Sequence, residues 1–116
     1  MSTLQYSNMM NAEAFVDLKS DAIDFSLLGD HVLVTGISKK RILCFRIFLV
    51  IGGDTVLTFK DGPSTNLSGP LPMLANGSLV LDMTNVPWFQ TSVTRDFILS
   101  STNSVQVSGM VYYQQN

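Results

Sequence analysis

The densest apolar pattern in the chain runs from Arg41 to Ile51, RILCFRIFLVI. Its odd positions Leu43, Phe45, Ile47 and Leu49 are all apolar, and of its even positions only Arg46 is not. A strand apolar on both sides needs two covers. The pattern therefore predicts a core on one face and a second sheet or a neighbouring subunit on the other. Arg46, amid Phe45, Ile47 and Phe48, has to reach water or find a carboxylate, and one across a subunit boundary would serve.

Shorter strands are predicted on both sides of this segment. Ala14 to Leu18 and Ile23 to Leu27 alternate apolar and polar for a few residues, although Asn11 as a cap and Glu13 in a first turn also permit a helix over 11–19. His31 to Thr35 is β-branched and lies between Gly29-Asp30 and Gly36, which predicts a strand between turns. Gly52-Gly53-Asp54 reads as a tight hairpin turn returning into Thr55 to Lys60, with Leu57 and Phe59 facing the core. Residues 61–77 hold three prolines, three glycines and several Ser, Thr and Asn, the composition of a long connecting loop. An Asn76-Gly77 turn then opens a strand over Ser78 to Met83, and Pro87 confines Trp88-Phe89 to a short edge or corner segment. Arg95 to Ser100 supplies another strand. In the last, Val105 to Tyr113, Val105, Val107, Gly109, Val111 and Tyr113 share one face and Gln106, Ser108, Met110 and Tyr112 the other. Residues 1–12 are polar with no period. The expected organisation is an N-terminal arm over 1–12 and one all-β domain over 13–116, a β-sandwich or jelly-roll-like fold.

Composition adds a reason to expect assembly. The 116 residues suit one domain with one core. Charged residues make up 14 % against 46 % hydrophobic, where roughly 25 % charged is typical of a soluble domain. A chain so poor in charge keeps its apolar surface out of water most simply by burying it against other subunits. The net charge of −2 leaves no broad basic surface for nucleic acid, and Lys39-Lys40-Arg41, the one basic run, reads as a solvated lead-in to the long strand. Residues 1–10 lack the charged start and apolar stretch of a signal peptide, and Ile42 to Ile51 is too short to span a bilayer. A reducing, non-membrane setting is expected.

The side chains that carry chemistry are sparse. One histidine, His31, and one cysteine, Cys44, allow no disulfide within the chain and no Cys-based zinc site, and neither has an evident catalytic partner. Asp21 with Asp24, or Asp54 with Asp61, are the nearest carboxylate pairs for glycoside hydrolysis, and Asp54 with Asp61 and loop carbonyls offers oxygens to calcium. None of these forms an arrangement, so no catalytic residue, metal or cofactor is expected. Asn66-Leu67-Ser68 and Asn76-Gly77-Ser78 fit the glycosylation pattern by coincidence. Trp88-Phe89 suits an interface anchor or a corner of the core more than a sugar platform. Tyr112 and Tyr113 must point to opposite faces.

Several blocks together resemble a family of small tailed-bacteriophage virion proteins. They are Arg41-Ile42 opening the long strand, GGDTVLTFK over 52–60, PLPMLANGSLVL over 70–81, WFQT over 88–91 and VQVSGMVYY over 105–113. The resemblance implies a capsid decoration or cement protein. It would be a homotrimer seated on the major capsid protein at the virion exterior, made in the host cytoplasm, bridging capsomers without catalysis. On that reading Arg46, Phe48, Trp88, Phe89 and Tyr112 are interface residues, and Leu4, Tyr6, Met9 and Met10 belong to a capsid-binding arm. The alternative is a tail- or fibre-associated module whose Trp88 and 61–77 loop contact a host-surface glycan.

Overall fold

A computed structural model describes residues 18–116. The expected arm, with Leu4, Tyr6, Met9 and Met10, lies outside the described residues, as does most of the possible helix over 11–19, whose last residue Lys19 opens a strand. In chain order the strands are β1 (Lys19–Phe25), β2 (Gly29–Val34), β3 (Ile42–Ile51), β4 (Thr55–Asp61), β5 (Thr65–Asn66), β6 (Leu71–Met73), β7 (Ser78–Leu81), β8 (Phe89–Gln90), β9 (Phe97–Ser101) and β10 (Val107–Gln115). They form two antiparallel sheets, so the chain is an all-β sandwich. Sheet A has the order β1-β10-β3-β7, with β8 also on β3; sheet B has the order β2-β9-β4-β5, with β6 also on β4.

The core lies between the sheets. Ile23, Ile47, Leu49, Val107 and Val111 of sheet A meet Leu57, Phe59, Phe97 and Leu99 of sheet B, all buried, each worth about 1.5–3 kcal/mol of transfer free energy. Phe59 stacks on Phe97 at 5.8 Å and on Phe89 at 4.6 Å between ring centroids, so an aromatic cluster joins β4 and β9 to β8 of the facing sheet. Leu57 and Phe59 face inward as their alternation predicts.

Three sequence expectations give way here. Gly52-Gly53-Asp54 does not close a hairpin, because β3 and β4 belong to different sheets and the turn carries the chain across the sandwich. Neither glycine takes a positive φ. What the turn requires is space, since a Cβ on Gly53 would come within 2.6 Å of Val105 Cγ1. Residues 61–77 are not one loop, for β5 and β6 fold back along β4 and pair with Lys60–Asp61 and Thr55–Leu57. Finally, simple parity fails in β3. Its pairing with β10 passes from Arg46↔Tyr112 to Cys44↔Tyr113, so Phe45 is an inserted residue and both Cys44 and Phe45 are buried. Before this bulge the inward residues are Ile42 and Cys44; after it they are Ile47, Leu49 and Ile51. An apolar run on both faces conceals such a shift of phase.

Candidate functional site

Polar side chains inside the domain are committed to holding it together. His31 stacks on Phe25 at 3.9 Å between centroids, and its Nε2 lies 2.6 Å from the Leu27 carbonyl, which pins the β1–β2 turn. Burial pushes the Cys44 thiol up to about 12, a hydrogen bond with the Arg46 backbone lowering it in part, so the group is a small hydrophobe and not a nucleophile. Tyr113 is raised to about 12 by burial first, then by the hydrogen bond its hydroxyl donates to Asp21 and by that carboxylate's charge. Asp54 and Asp61 lie at the two ends of β4, about 20 Å apart at ordinary strand rise, and cannot share a calcium ion. The buried Asp61 carboxylate accepts from both the amide and the hydroxyl of Ser92 through Oδ2, while its Oδ1 faces Arg95 Nε at 3.8 Å. Among the described residues no three His, Cys, Asp or Glu side chains gather where a metal could be held.

The outer face of sheet A is a different kind of surface. Strand pairing lines up Ala22, Met110, Phe48 and Val80 in one row across β1, β10, β3 and β7. The rows beside it are Ser20, Tyr112 and Arg46 on one side and Asp24, Ser108, Val50 and Ser78 on the other. Val50 is 54 % exposed and Val80 56 %, although each stands in the middle or on the flank of a regular sheet. Among the described residues no second layer lies on them. Within residues 18–116 the cover that the two-sided apolar pattern of β3 demands is thus supplied by the core on one face only.

Arg46 emerges from the bulge into this face. Its guanidinium carbon sits 5.3 Å from the Tyr112 ring centroid and 5.6 Å from that of Phe48, within the range of cation–π attraction. Its Nε lies 3.8 Å from Asp82 Oδ1, so the carboxylate that an arginine in this setting needs comes from the chain itself and not from across a boundary. With side chains 37 % and 80 % exposed, the pair contributes at most about 1 kcal/mol to stability. Trp88 completes the group, its indole N–H donating to the Asp82 carbonyl at 2.6 Å and the residue 45 % exposed. Arg46, Phe48, Tyr112 and Trp88 are therefore brought together. Phe89 is not, because its ring turns inward onto Phe59 and Phe97.

Val50, Val80, Met110 and Asp82 join the face without having been singled out in the sequence. Alternation alone placed Met110 with Tyr112, but nothing in it told that Val80 would lie opposite Phe48. Comparison with known proteins finds no matching family model, no matching curated protein and no matching solved structure.

Proposed function

We propose that this protein is a structural assembly subunit, a capsid decoration protein of a tailed-phage head that works by contact and not by chemistry. The observation that carries the reading is the outer face of sheet A, left open by the described residues, where Phe48, Val50, Val80 and Met110 lie to one side of an arginine flanked by the Phe48 and Tyr112 rings. Apolar surface that carries arginine and aromatic anchors is the composition of an interface. On this reading the occupant of the face is a neighbouring copy in a homotrimer, while residues 1–12 hold the trimer to the major capsid protein. The block-by-block resemblance to small virion proteins supplies the setting.

Two measurements test it. By light scattering at micromolar concentration the protein should be a trimer, and Phe48→Ser with Val80→Ser should weaken association at least about tenfold while leaving the fold intact by circular dichroism. A wild-type protein that stays monomeric defeats the proposal. Deleting residues 1–12 should lower occupancy on capsids without changing the oligomer. Glycan-array binding lost on Trp88→Ala, in a protein that does not self-associate, would instead assign the face to a host-surface carbohydrate.

A further inference from the structure

The sandwich also has two unlike ends. Strand direction puts the β1–β2, β3–β4, β6–β7 and β9–β10 connections at one end, and the β2–β3, β4–β5 and β8–β9 connections, with Lys19 and the C-terminus, at the other. The first end carries Asp24, Asp30 and Asp54, all exposed, and the only described base that reaches toward it is Lys60, which pairs with Asp30. The same end exposes Leu27, Leu28 and Leu74 at 67, 61 and 74 %. The opposite end gathers Lys19, Lys39, Lys40, Arg41 and Arg95 against Asp21, which accepts from the Tyr113 hydroxyl, Asp61, which is buried, and Asp96, whose Oδ1 is occupied by the Gly36 amide. It too has an apolar component, with Ile37 and Val93 42 and 47 % exposed.

Bonds between loops hold the basic end in shape. Lys39 N donates to Thr94 Oγ1 at 3.0 Å, and Thr94 N donates to the Lys40 carbonyl at 2.8 Å. Lys39 and Thr94 both take positive φ, 67° and 73°, a conformation that is uncommon for lysine and an outlier for a β-branched residue. A Cβ on Gly36 would run into the Thr94 carbonyl oxygen, so the two loops pass at backbone contact. Lys39, Lys40 and Arg41 are thus presented on a braced support, not on a floppy loop. The ten residues of β3 separate the ends by about 33 Å, more than three Debye lengths at physiological salt, so each acts as a separate pole.

From this complementarity of charge, matched by apolar residues at both poles, we infer that the acidic end of one copy docks head-to-tail on the basic end of another. The contact is heterologous, and because its two halves lie at opposite ends of the sandwich it propagates along an axis and does not close on itself. It is separate from the sheet A face.

The test uses the full chain carrying Phe48→Ser and Val80→Ser, so that association through sheet A is removed first. In sedimentation velocity this protein should assemble in roughly 0.05 M NaCl and dissociate in roughly 0.5 M, as screening shortens the Debye length. Reversal of the basic end (Lys39→Glu, Lys40→Glu, Arg41→Glu) and of the acidic end (Asp24→Lys, Asp54→Lys) should each weaken association at least about tenfold, and an equimolar mixture of the two should recover it. Asp24 accepts from Gln106 and Asp54 from the Ala75 amide, so Asp24→Asn with Asp54→Asn, which keeps both acceptors, should weaken assembly in the same direction. No salt-dependent assembly, loss confined to one end's variants, or no recovery on mixing would overturn the inference. Each of these results is independent of whether sheet A mediates a trimer.

Discussion

The outer faces of the two sheets meet the same problem and resolve it differently. On sheet B, Ile98 stands in the row Val32, Ile98, Lys60, yet it is only 4 % exposed. The Lys60 ammonium reaches Asp30 at 3.2 Å from two strands away, so its methylene stem passes over β9 and shields that row. Val32 remains open, but Asp30, Thr58, Ser100 and Lys60 around it are polar. On sheet A the equivalent long polar side chain, Arg46, leans between Phe48 and Tyr112 at one margin and leaves Val50 and Val80 bare. A sheet face can be finished within its own chain by one well-placed lysine. That the described residues do not finish sheet A in this way is why the proposed function gives its completion to a neighbouring copy.

The comparison presumes that both sheets rest on one shared core, and the largest effect comes from breaking it. Phe59→Ala removes the ring that stacks on both Phe97 and Phe89, and should cost about 3–5 kcal/mol in urea unfolding. Intrinsic tryptophan fluorescence from Trp88, beside sheet A, and circular dichroism, reporting all strands, should move together. Separate transitions would mean that the sheets are stabilised independently, and their outer faces could not be compared as parts of one unit.

Next in size is an alkaline limit that belongs to sheet A. Cys44 on β3 and Tyr113 on β10 both have folded pKa values raised to about 12, above ordinary values of 9 and 10. A raised folded value means the unfolded chain loses its proton first. The contribution is complete below the ordinary value and is lost as pH climbs toward 12, at about 1.4 kcal/mol per unit of separation as an upper bound. Stability should therefore fall between pH 9 and 12, and Tyr113→Phe should flatten the part of that fall above pH 10. A midpoint in urea that does not change over this interval would show that neither group is as desolvated as its burial implies.

Much of this architecture could be read from the chain, and what could not shares a physical cause. A continuous apolar run identified β3, and local alternation identified β4 and β10, turned Leu57 and Phe59 inward and put Val107 and Val111 on one side of β10, because a period of two records which residues share a side of a strand. It could not tell which strands pair. The turn at Gly52-Gly53 has the composition of a hairpin, and only the destination of β4 in the other sheet shows that it is a crossing. The bulge at Phe45 was silent since apolar residues occupy both faces there. The surface around Arg46 was half visible for the same reason: its β3 and β10 members were legible one strand at a time, whereas Val80 and Asp82 arrive through β7, whose position depends on contacts distant in sequence.

The smallest effect bears most directly on the contrast between the faces. Lys60 contributes to sheet B both as a charge paired with Asp30 and as a hydrocarbon stem, and two substitutions separate these roles. Lys60→Met keeps most of the stem and removes the charge. Because Asp30 is about a third exposed, the pair is worth at most about 1 kcal/mol, and the loss on substitution should shrink further as salt is raised. Lys60→Ala removes the stem too and exposes Ile98, so sheet B should come to resemble sheet A. The expected result is unchanged association for Lys60→Met and stronger self-association for Lys60→Ala, measured by light scattering at equal concentration. If Lys60→Ala stays no more associated than Lys60→Met, the lysine stem is not what closes sheet B, and the apolar residues left open on sheet A lose their claim to be a contact surface on grounds of exposure alone.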